Sequence, residues 1–231
     1  MNELNLPTTK VVCIECGTTF EAKGIILFDR VLVPTGCEAC ADKRESRLGE
    51  WVRLCPLEFR LPCEAGGKTK LSRMDSDVPG WRRVLDWNFG NRGLLVRGET
   101  GRCKTRAMWR LLRKLFEERK KIVVLTAAQF DRQCRDAGGN FTLSEWFNEL
   151  ATVDVLFLDD LGKANWTQGT EAQIFDLVDT RTRNGRPILA TTNDTGASLT
   201  ARLSADRGGP LIRRLRDYCD SLVFTPEHTE Q

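Results

Sequence analysis

The sequence lacks several features that define large classes of protein. It has a single histidine among 231 residues, His228 in a polar stretch, and this excludes mechanisms that need a histidine base elsewhere in the chain. No uncharged apolar run approaches the roughly 18 residues of a membrane span, so we expect no membrane partner. Residues 1–7 have neither a basic start nor an apolar core, and we expect no secretory signal. The formal charge of +3 is too small by itself to indicate nucleic acid.

Cysteine is abundant by contrast, with nine residues. Four of them form two CxxC pairs, which are Cys13 with Cys16 and Cys37 with Cys40. Without a predicted export signal, this pattern favours a metal over disulfides, and we expect a cytoplasmic location. Four thiolates from two tight turns complete the tetrahedral coordination of a structural Zn²⁺, with a zinc-ribbon-like or treble-clef-like spacing. An iron–sulfur cluster, free thiols, or Cys55 or Cys63 as a spare ligand are the alternatives.

The distribution of charge divides the chain further. Basic residues outnumber acidic ones by 13 to four from Trp81 to Lys121, whereas Ser144–Asp160 contains five acidic residues and no basic one. The basic stretch is therefore a candidate region for binding an anion, and the acidic stretch is a candidate for binding a cation. We expect a zinc-binding domain over residues 1–45, a linker over 46–80 and a second domain over 81–231.

From Gly93 onward, apolar runs of strand length alternate with helical patterns. The predicted strands are 94–96, 122–125, 153–158, 188–192 and 221–224. The predicted helices are 104–120, 127–137, 143–151 and 170–184, the last with Thr170 as its N-cap. Near-continuous apolar strands separated by helices predict an α/β fold with a parallel sheet that helices cover on both faces.

A candidate phosphate loop follows the first of these strands. Its residues are Gly98, Glu99, Thr100, Gly101, Arg102, Cys103, Lys104 and Thr105. Glycines allow backbone N–H groups to face phosphates, and the following helix N-terminus adds a favourable dipole. We expect Lys104 to contact the β- and γ-phosphates of ATP and Thr105 to bind Mg²⁺. Cys103 replaces the second glycine of G-x-x-x-x-G-K-[ST], and a strand–turn–helix without a ligand is the alternative.

Acidic and amide side chains follow two further strands. Asp159 and Asp160 end an apolar strand, at the edge where ligands bind in open α/β sheets. We assign Asp159 to the magnesium shell and Asp160 to orienting or deprotonating the water that attacks the γ-phosphate. Asn193 follows the next strand and is predicted to hold that water, although asparagine is also common in turns.

This order of motifs resembles the AAA+ ATPases, specifically the DnaC-type helicase loaders and the IstB-type transposition ATPases. The resemblance covers about residues 93–224 and rests on four segments: 98–105, 155–162, 189–193 and 211–215. It implies a P-loop AAA+ sheet without a helical lid, beside the zinc module. It also implies that Arg214, with Arg213 as the near alternative, enters the ATP site of a neighbouring subunit, which needs a homo-oligomer. A solvated basic helix is the alternative.

The resemblance implies a function in DNA metabolism. We expect an ATP-hydrolysing loader that delivers a replicative helicase to single-stranded DNA. An IstB-like ATPase that directs a transposase to its target is the first alternative. The second is an ATP-binding regulatory adaptor with little hydrolysis, which Cys103 and the absence of a lid favour.

Basic side chains offer contacts to a DNA backbone. On the helix after the phosphate loop these are Arg106, Arg110, Arg113 and Lys114. By analogy with related ATPases, the segment 129–141 after the second strand, with Arg132 and Arg135, is placed to touch single-stranded DNA. A solvated helix face is the alternative for the first group.

Overall fold

The computed structural model describes residues 8–27, 30–60, 79–136, 142–164 and 166–224. The chain divides into two units, Met1–Pro56 and Leu57–Gln231. The first contains both cysteine pairs, and the second contains the phosphate loop. To cross a bilayer, a helix would have to be longer and more apolar than any helix in the described ranges.

The N-terminal unit consists of two short antiparallel strand pairs followed by one long helix. The strands are β1 (Thr8–Val12), paired with β2 (Thr19–Lys23), and β3 (Ile25–Leu27), paired with β4 (Arg30–Leu32). Helix α1 spans Glu38–Leu54 and buries Trp51. It extends into the predicted linker as far as Leu54, and its residue Trp51 and its C-cap Cys55 are buried.

The larger unit is built around a five-stranded parallel sheet. Its strands are β5 (Gly93–Gly98), β6 (Ile122–Thr126), β7 (Val155–Asp159), β8 (Ile188–Thr192) and β9 (Cys219–Phe224). They lie in the order β6-β7-β8-β5-β9, and every neighbouring pair is parallel. Because β7, β8 and β5 are adjacent and parallel, the residues that follow these three strands meet at one edge of the sheet.

Helices connect these strands. They are α2 (Leu57–Arg60), α3 (Pro79–Leu85), α4 (Lys104–Glu117), α5 (Ala127–Asp136), α6 (Thr142–Thr152), α7 (Gln168–Arg183), α8 (Gly196–Ala201) and α9 (Ala205–Tyr218), with a 3₁₀ turn at Leu161–Lys163. The predicted α/β class, a parallel sheet with flanking helices, is confirmed. Helices α3 and α8 lie where the sequence pattern predicts none.

Buried apolar side chains explain why these segments form the sheet and its cover. All five residues of β8 are buried, as are the first four of β7. Helix α4 turns one face to the interior, which includes Ala107, Met108 and Leu111 as its period predicts. The interior of this unit therefore has the near-continuous apolar strands expected of a doubly covered sheet.

Helix α7 begins earlier than its sequence pattern indicates. Its N-cap is Thr167, whose side chain accepts the backbone N–H of Thr170, while the Thr170 side chain accepts the backbone N–H of Thr167. The prediction of Thr170 as the N-cap is therefore wrong. Thr170 occupies the third helical position and completes a capping box, since two threonines at this spacing can serve each other's orphan N–H groups.

Arg181 of α7 is fully buried in the interior of the larger unit. Its guanidinium donates to the carbonyl oxygens of Leu150, Val153 and Pro187 and, at 3.3 Å, to that of Asp154. Burial lowers its pKa to about 10. Since these carbonyls come from the end of α6 and the starts of β7 and β8, one side chain ties three elements to α7.

The Arg181→Leu substitution is expected to lower the free energy of unfolding by about 3 kcal/mol or more, because it leaves buried carbonyl groups without a donor. As the matched control, Arg183→Ala removes an exposed guanidinium 2.7 Å from the buried carboxylate of Asp179, which keeps Arg214 as a partner, and should cost less than about 1 kcal/mol. Urea unfolding of the full chain measures both. Equal losses for the two variants would contradict the assigned role of Arg181.

Candidate nucleotide and metal sites

The loop between β5 and α4 has three residues in backbone conformations with positive φ. Gly98 has φ 151°, and a Cβ there would collide with the carbonyl oxygen of Phe224. Gly101 has φ 83°. Cys103 has φ 55° and ψ 27°, the left-handed conformation that glycine adopts without penalty. A cysteine tolerates this at about 1–2 kcal/mol, so its Cβ strains the loop without preventing its formation.

Lys104 is buried at the base of the loop, with 5% of the residue exposed. Its Nζ donates to the carbonyl oxygens of Gly98 and Glu99, each at 2.8 Å, and to Oδ1 of Asn193 at 2.6 Å. Burial lowers the pKa of Lys104, and the nearby carboxylates of Asp160 and Asp159 partly offset that effect. The three acceptors match the three donors of the ammonium group.

Asp159 and Thr105, the two residues assigned to Mg²⁺, lie side by side. Thr105 Oγ1 donates to Asp159 Oδ1 at 2.9 Å, and the hydroxyl of Thr191 donates to the same oxygen. Burial raises the pKa of Asp159, and the hydroxyl donors of Thr191 and Thr105 oppose this rise. A carboxylate beside a hydroxyl is a hard oxygen donor set, which suits Mg²⁺.

Asp160 follows β7 in the left-handed conformation, with φ 56°. Its backbone N–H donates to Thr191 Oγ1 at 3.0 Å. One carboxylate oxygen accepts from Nδ2 of Asn193 at 3.5 Å, and the other accepts from Nζ of Lys163 at 2.8 Å. The two residues assigned to the attacking water, Asp160 and Asn193, are therefore in contact.

A cleft of about 290 Å³ opens beside these groups. It is lined from the loop side by Thr100, Gly101, Cys103, Lys104 and Thr105, and from the strand ends by Asp160, Lys163 and Asn193. The cleft thus brings together most of the predicted site residues from three separate segments of the chain. Glu99 and Arg102 form an ion pair with each other at 3.2 Å at the loop.

Arg214 does not reach this cleft. Its guanidinium pairs with Asp179 of α7 in the same chain and lies 5.7 Å from the ring centre of Phe175. Arg213, the alternative, is exposed on α9. The assignment of either residue to a neighbouring subunit's ATP site remains a prediction.

Three residues at the site were not foreseen. Thr191 is fully buried and binds both Asp159 and the backbone of Asp160. Lys163 pairs with Asp160, and Phe59 of α2 lines the cleft and stacks on Trp109 at 5.8 Å. Two hydroxyl side chains, Thr191 and Thr192, in an otherwise apolar strand were a signal that could have identified Thr191 as a site residue. No local sequence pattern points to Phe59.

Several basic residues predicted to contact DNA bind their own chain. Arg106 donates to the carbonyl oxygen of Glu58 at 2.7 Å, and Arg113 donates to Glu117 at 2.6 Å. Lys114 donates to the carbonyl oxygens of Leu85 and Trp87 and to Asn88 Oδ1. Part of the segment 129–141 lies outside the described residues, and Arg135 there pairs with Asp131 at 3.1 Å.

The four paired cysteines form the cluster that their spacing predicts. The sulfurs of Cys13, Cys16, Cys37 and Cys40 all lie within 4.8 Å of one another. Cys37 is the N-cap of α1, so the second pair lies at a helix N-terminus. Cys16 Sγ and Cys37 Sγ are 3.7 Å apart, close to the roughly 3.8 Å that Zn–S bonds of about 2.3 Å require in a tetrahedron.

The electrostatics of the cluster also suit a cation. The backbone N–H of Cys37 donates to Cys13 Sγ at 3.4 Å and is the main cause that lowers the pKa of Cys13 to about 6. The side chains of Cys37 and Cys16 raise the pKa of Cys40 to about 12. Since one thiolate disfavours another beside it, a divalent cation is the simplest way to keep four ionised sulfurs together. Cys63 lies outside the described residues.

Comparison with known proteins places the larger unit in a fold class. No protein-family model matches the chain. A protein of Pseudomonas fluorescens, described as an ATP-binding protein of insertion sequence IS1162, is 28% identical over 166 residues, which are 70% of this chain and 71% of that protein. The similarity thus extends over most of both sequences.

Two solved structures have the same fold. The DnaC helicase loader matches with a TM-score of 0.56 and 16% identity over 76% of this chain and 99% of that one. AMPPCP-bound DnaA from Aquifex aeolicus matches with a TM-score of 0.56 and 16% identity over 74% of this chain and 51% of that one. The chain therefore spans about half the length of DnaA. The larger unit has the AAA+ fold, and the resemblance to AAA+ ATPases of the DnaC and IstB type is confirmed.

The cysteine cluster leads to a prediction about metal content. The full chain should contain about one zinc ion, and Cys16→Ser should lose most of it, because three thiolates hold the ion less firmly than four. Cys55→Ser is the matched control, since Cys55 is buried outside the cluster. Elemental analysis of the purified variants measures the metal. Loss of zinc in both variants, or iron in place of zinc, would contradict the assignment.

Proposed function

We propose that this chain is an ATP-hydrolysing AAA+ protein that acts on DNA through a protein partner. The observation that carries the proposal is the contact of Lys104 with Asn193, which joins the phosphate loop to the end of β8. Asp159 and Asp160 complete the site from the end of β7. These positions support the proposal of binding and hydrolysis of a nucleoside triphosphate.

The loop side binds the substrate. Lys104 presents its positive charge to the β- and γ-phosphates, and the N–H groups at the start of α4 face the same anions. The Thr105 hydroxyl and the Asp159 carboxylate would hold Mg²⁺, which supplies charge neutralisation for the transferred phosphoryl group. Thr191 keeps the Asp159 carboxylate oriented by donating to it. Lys104 keeps its contacts with the loop although Cys103 replaces a glycine, which supports ATP binding in both the ATPase and the adaptor alternatives.

The strand side acts on water. The Asp160 carboxylate orients the attacking water or accepts its proton, and the Asn193 amide holds the same water without adding charge. Arg214 or Arg213 from a neighbouring subunit would stabilise the charge that develops on the γ-phosphate, so hydrolysis is proposed to need a homo-oligomer. For Arg214 this requires release from Asp179.

A replicative helicase is the first candidate partner, with single-stranded DNA as the nucleic acid. The similarity to the DnaC helicase loader along 99% of that chain supports this choice. A transposase is the second candidate, because a relative that is 28% identical over 166 residues comes from insertion sequence IS1162. The zinc module is proposed to contact the partner or DNA, and two CxxC pairs that suit a metal support the proposal of a cytoplasmic location.

Two substitutions test the ATPase. Lys104→Ala should weaken binding of ATP about tenfold or more, because it removes a charge-assisted contact. Asp160→Asn should retain ATP binding and lower kcat about 10²–10⁴-fold, because the water loses its base. Phosphate release with and without single-stranded DNA measures turnover, and we expect DNA to stimulate it.

Lys121→Ala and Glu149→Gln are the matched controls, since both side chains are exposed and neither lines the cleft. They should behave as the unchanged chain does. ATP binding without turnover under any condition would contradict the ATPase and leave the adaptor, while no binding at all would contradict both.

A separate experiment identifies the partner. The immobilised full chain, loaded with ATP and Mg²⁺, is offered the replicative helicase and, in a second sample, the transposase of the same cell. We expect capture of the helicase and weaker capture by Lys104→Ala, because binding of ATP sets the oligomer. Capture of the transposase alone would overturn the loader assignment while leaving the ATPase intact.

A further inference from the structure

Lys163 borders the phosphate cleft as a second lysine. It ends the 3₁₀ turn after Asp160, and its backbone N–H donates to the carbonyl oxygen of Asp160 at 2.9 Å. Its Nζ donates to Asp160 Oδ2 at 2.8 Å, and 64% of its side chain is exposed. Lys104, in contrast, is buried among three acceptors. The cleft therefore has two ammonium groups: that of Lys104 is enclosed by acceptors, and that of Lys163 pairs with a single carboxylate.

The turn that carries Lys163 is held in place by packing on both sides. Leu161 is buried, and a Cβ at Gly162 would collide with the carboxylate of Asp194. Asp194 is itself held by an ion pair with Arg202 at 3.2 Å. Because the backbone is confined in this way, Lys163 keeps its place at the cleft while its exposed side chain retains freedom to change partner.

The pair of Lys163 with Asp160 conflicts with the task proposed for Asp160. The ammonium of Lys163 occupies one accepting direction at Oδ2 and competes with a water for it, while Oδ1 accepts from Asn193 at 3.5 Å. A triphosphate brings further anionic oxygens into the same cleft, where they compete for the ammonium. Lysine suits such an exchange, because its charge is compact and its donors rotate.

We propose that Lys163 binds the terminal phosphate of ATP and thereby releases Asp160 to orient the attacking water. The proposal rests on the proposed function. A nucleoside diphosphate lacks the terminal phosphate and leaves the Lys163–Asp160 pair intact. Asp160 is thus free of Lys163 and able to orient water only when the third phosphate is present.

A purely structural role for the pair makes a different prediction. An ion pair with one exposed partner contributes little to stability, and its loss would affect all nucleotides equally. The proposed role requires an effect that is selective for the triphosphate. The affinity ratio between triphosphate and diphosphate is therefore the informative quantity.

The test measures dissociation constants of the full chain for ADP and for a non-hydrolysable ATP analogue, both with Mg²⁺, by calorimetry. Lys163→Ala should weaken binding of the analogue about tenfold and leave ADP within about twofold, because only the analogue loses a charge-assisted contact. Lys163→Arg should restore most of the difference. Lys121→Ala, an exposed lysine outside the cleft, is the matched control and should change neither constant.

Asp160→Asn provides the second arm. It removes the competing carboxylate, so it should tighten binding of the analogue when Lys163 is present and have no such effect in Lys163→Ala. Equal effects of Lys163→Ala on both nucleotides, or none on either, would overturn this inference while leaving the ATPase proposal intact. Failure of the unchanged chain to bind either nucleotide would overturn both.

Discussion

The ammonium group of Lys104 is the contact on which the site depends. A lysine this deeply buried is tolerated only when acceptors surround its charge. Two of them are backbone carbonyls of the loop, and the third is the side chain of Asn193. One residue therefore fixes the shape of the loop and its position relative to β8. The hydrogen bond of Thr105 with Asp159 makes the corresponding link from the loop to the end of β7.

The order of strands determines which residues the link can bring together. Strand β5 pairs with β8, and β8 pairs with β7, so the ends of three strands lie at one edge. Asp159, Asp160 and Asn193 are distant from the loop in the sequence. Asn193 nevertheless accepts from Lys104, Asp160 lines the same cleft, and Asp159 accepts from Thr105. Thr191 then donates to the Asp159 carboxylate and orients it, and Lys163 forms an ion pair with the Asp160 carboxylate. The site is a consequence of parallel topology, as in other open α/β sheets.

The sheet, the loop and the cysteine cluster could be predicted because each has a signal in consecutive residues. Apolar runs predicted the strands, and the spacing of Cys13, Cys16, Cys37 and Cys40 predicted their convergence. Lys163 and Phe59 could not be predicted, because their roles come from contacts across the fold. The start of α7 was misjudged since Thr167 and Thr170 are equally good caps by type, and geometry alone separates them.

The most direct measurement is calorimetric titration of the full chain with ATP, in the presence and in the absence of Mg²⁺. The central claim is that Lys104 and the Thr105–Asp159 pair hold a metal-bound triphosphate. It predicts saturation near one ATP per chain. It also predicts that the affinity for ATP falls clearly when Mg²⁺ is omitted, because Thr105 and Asp159 then have no metal ion through which to bind the phosphates. No heat of binding, or the same affinity without the metal, would contradict the account.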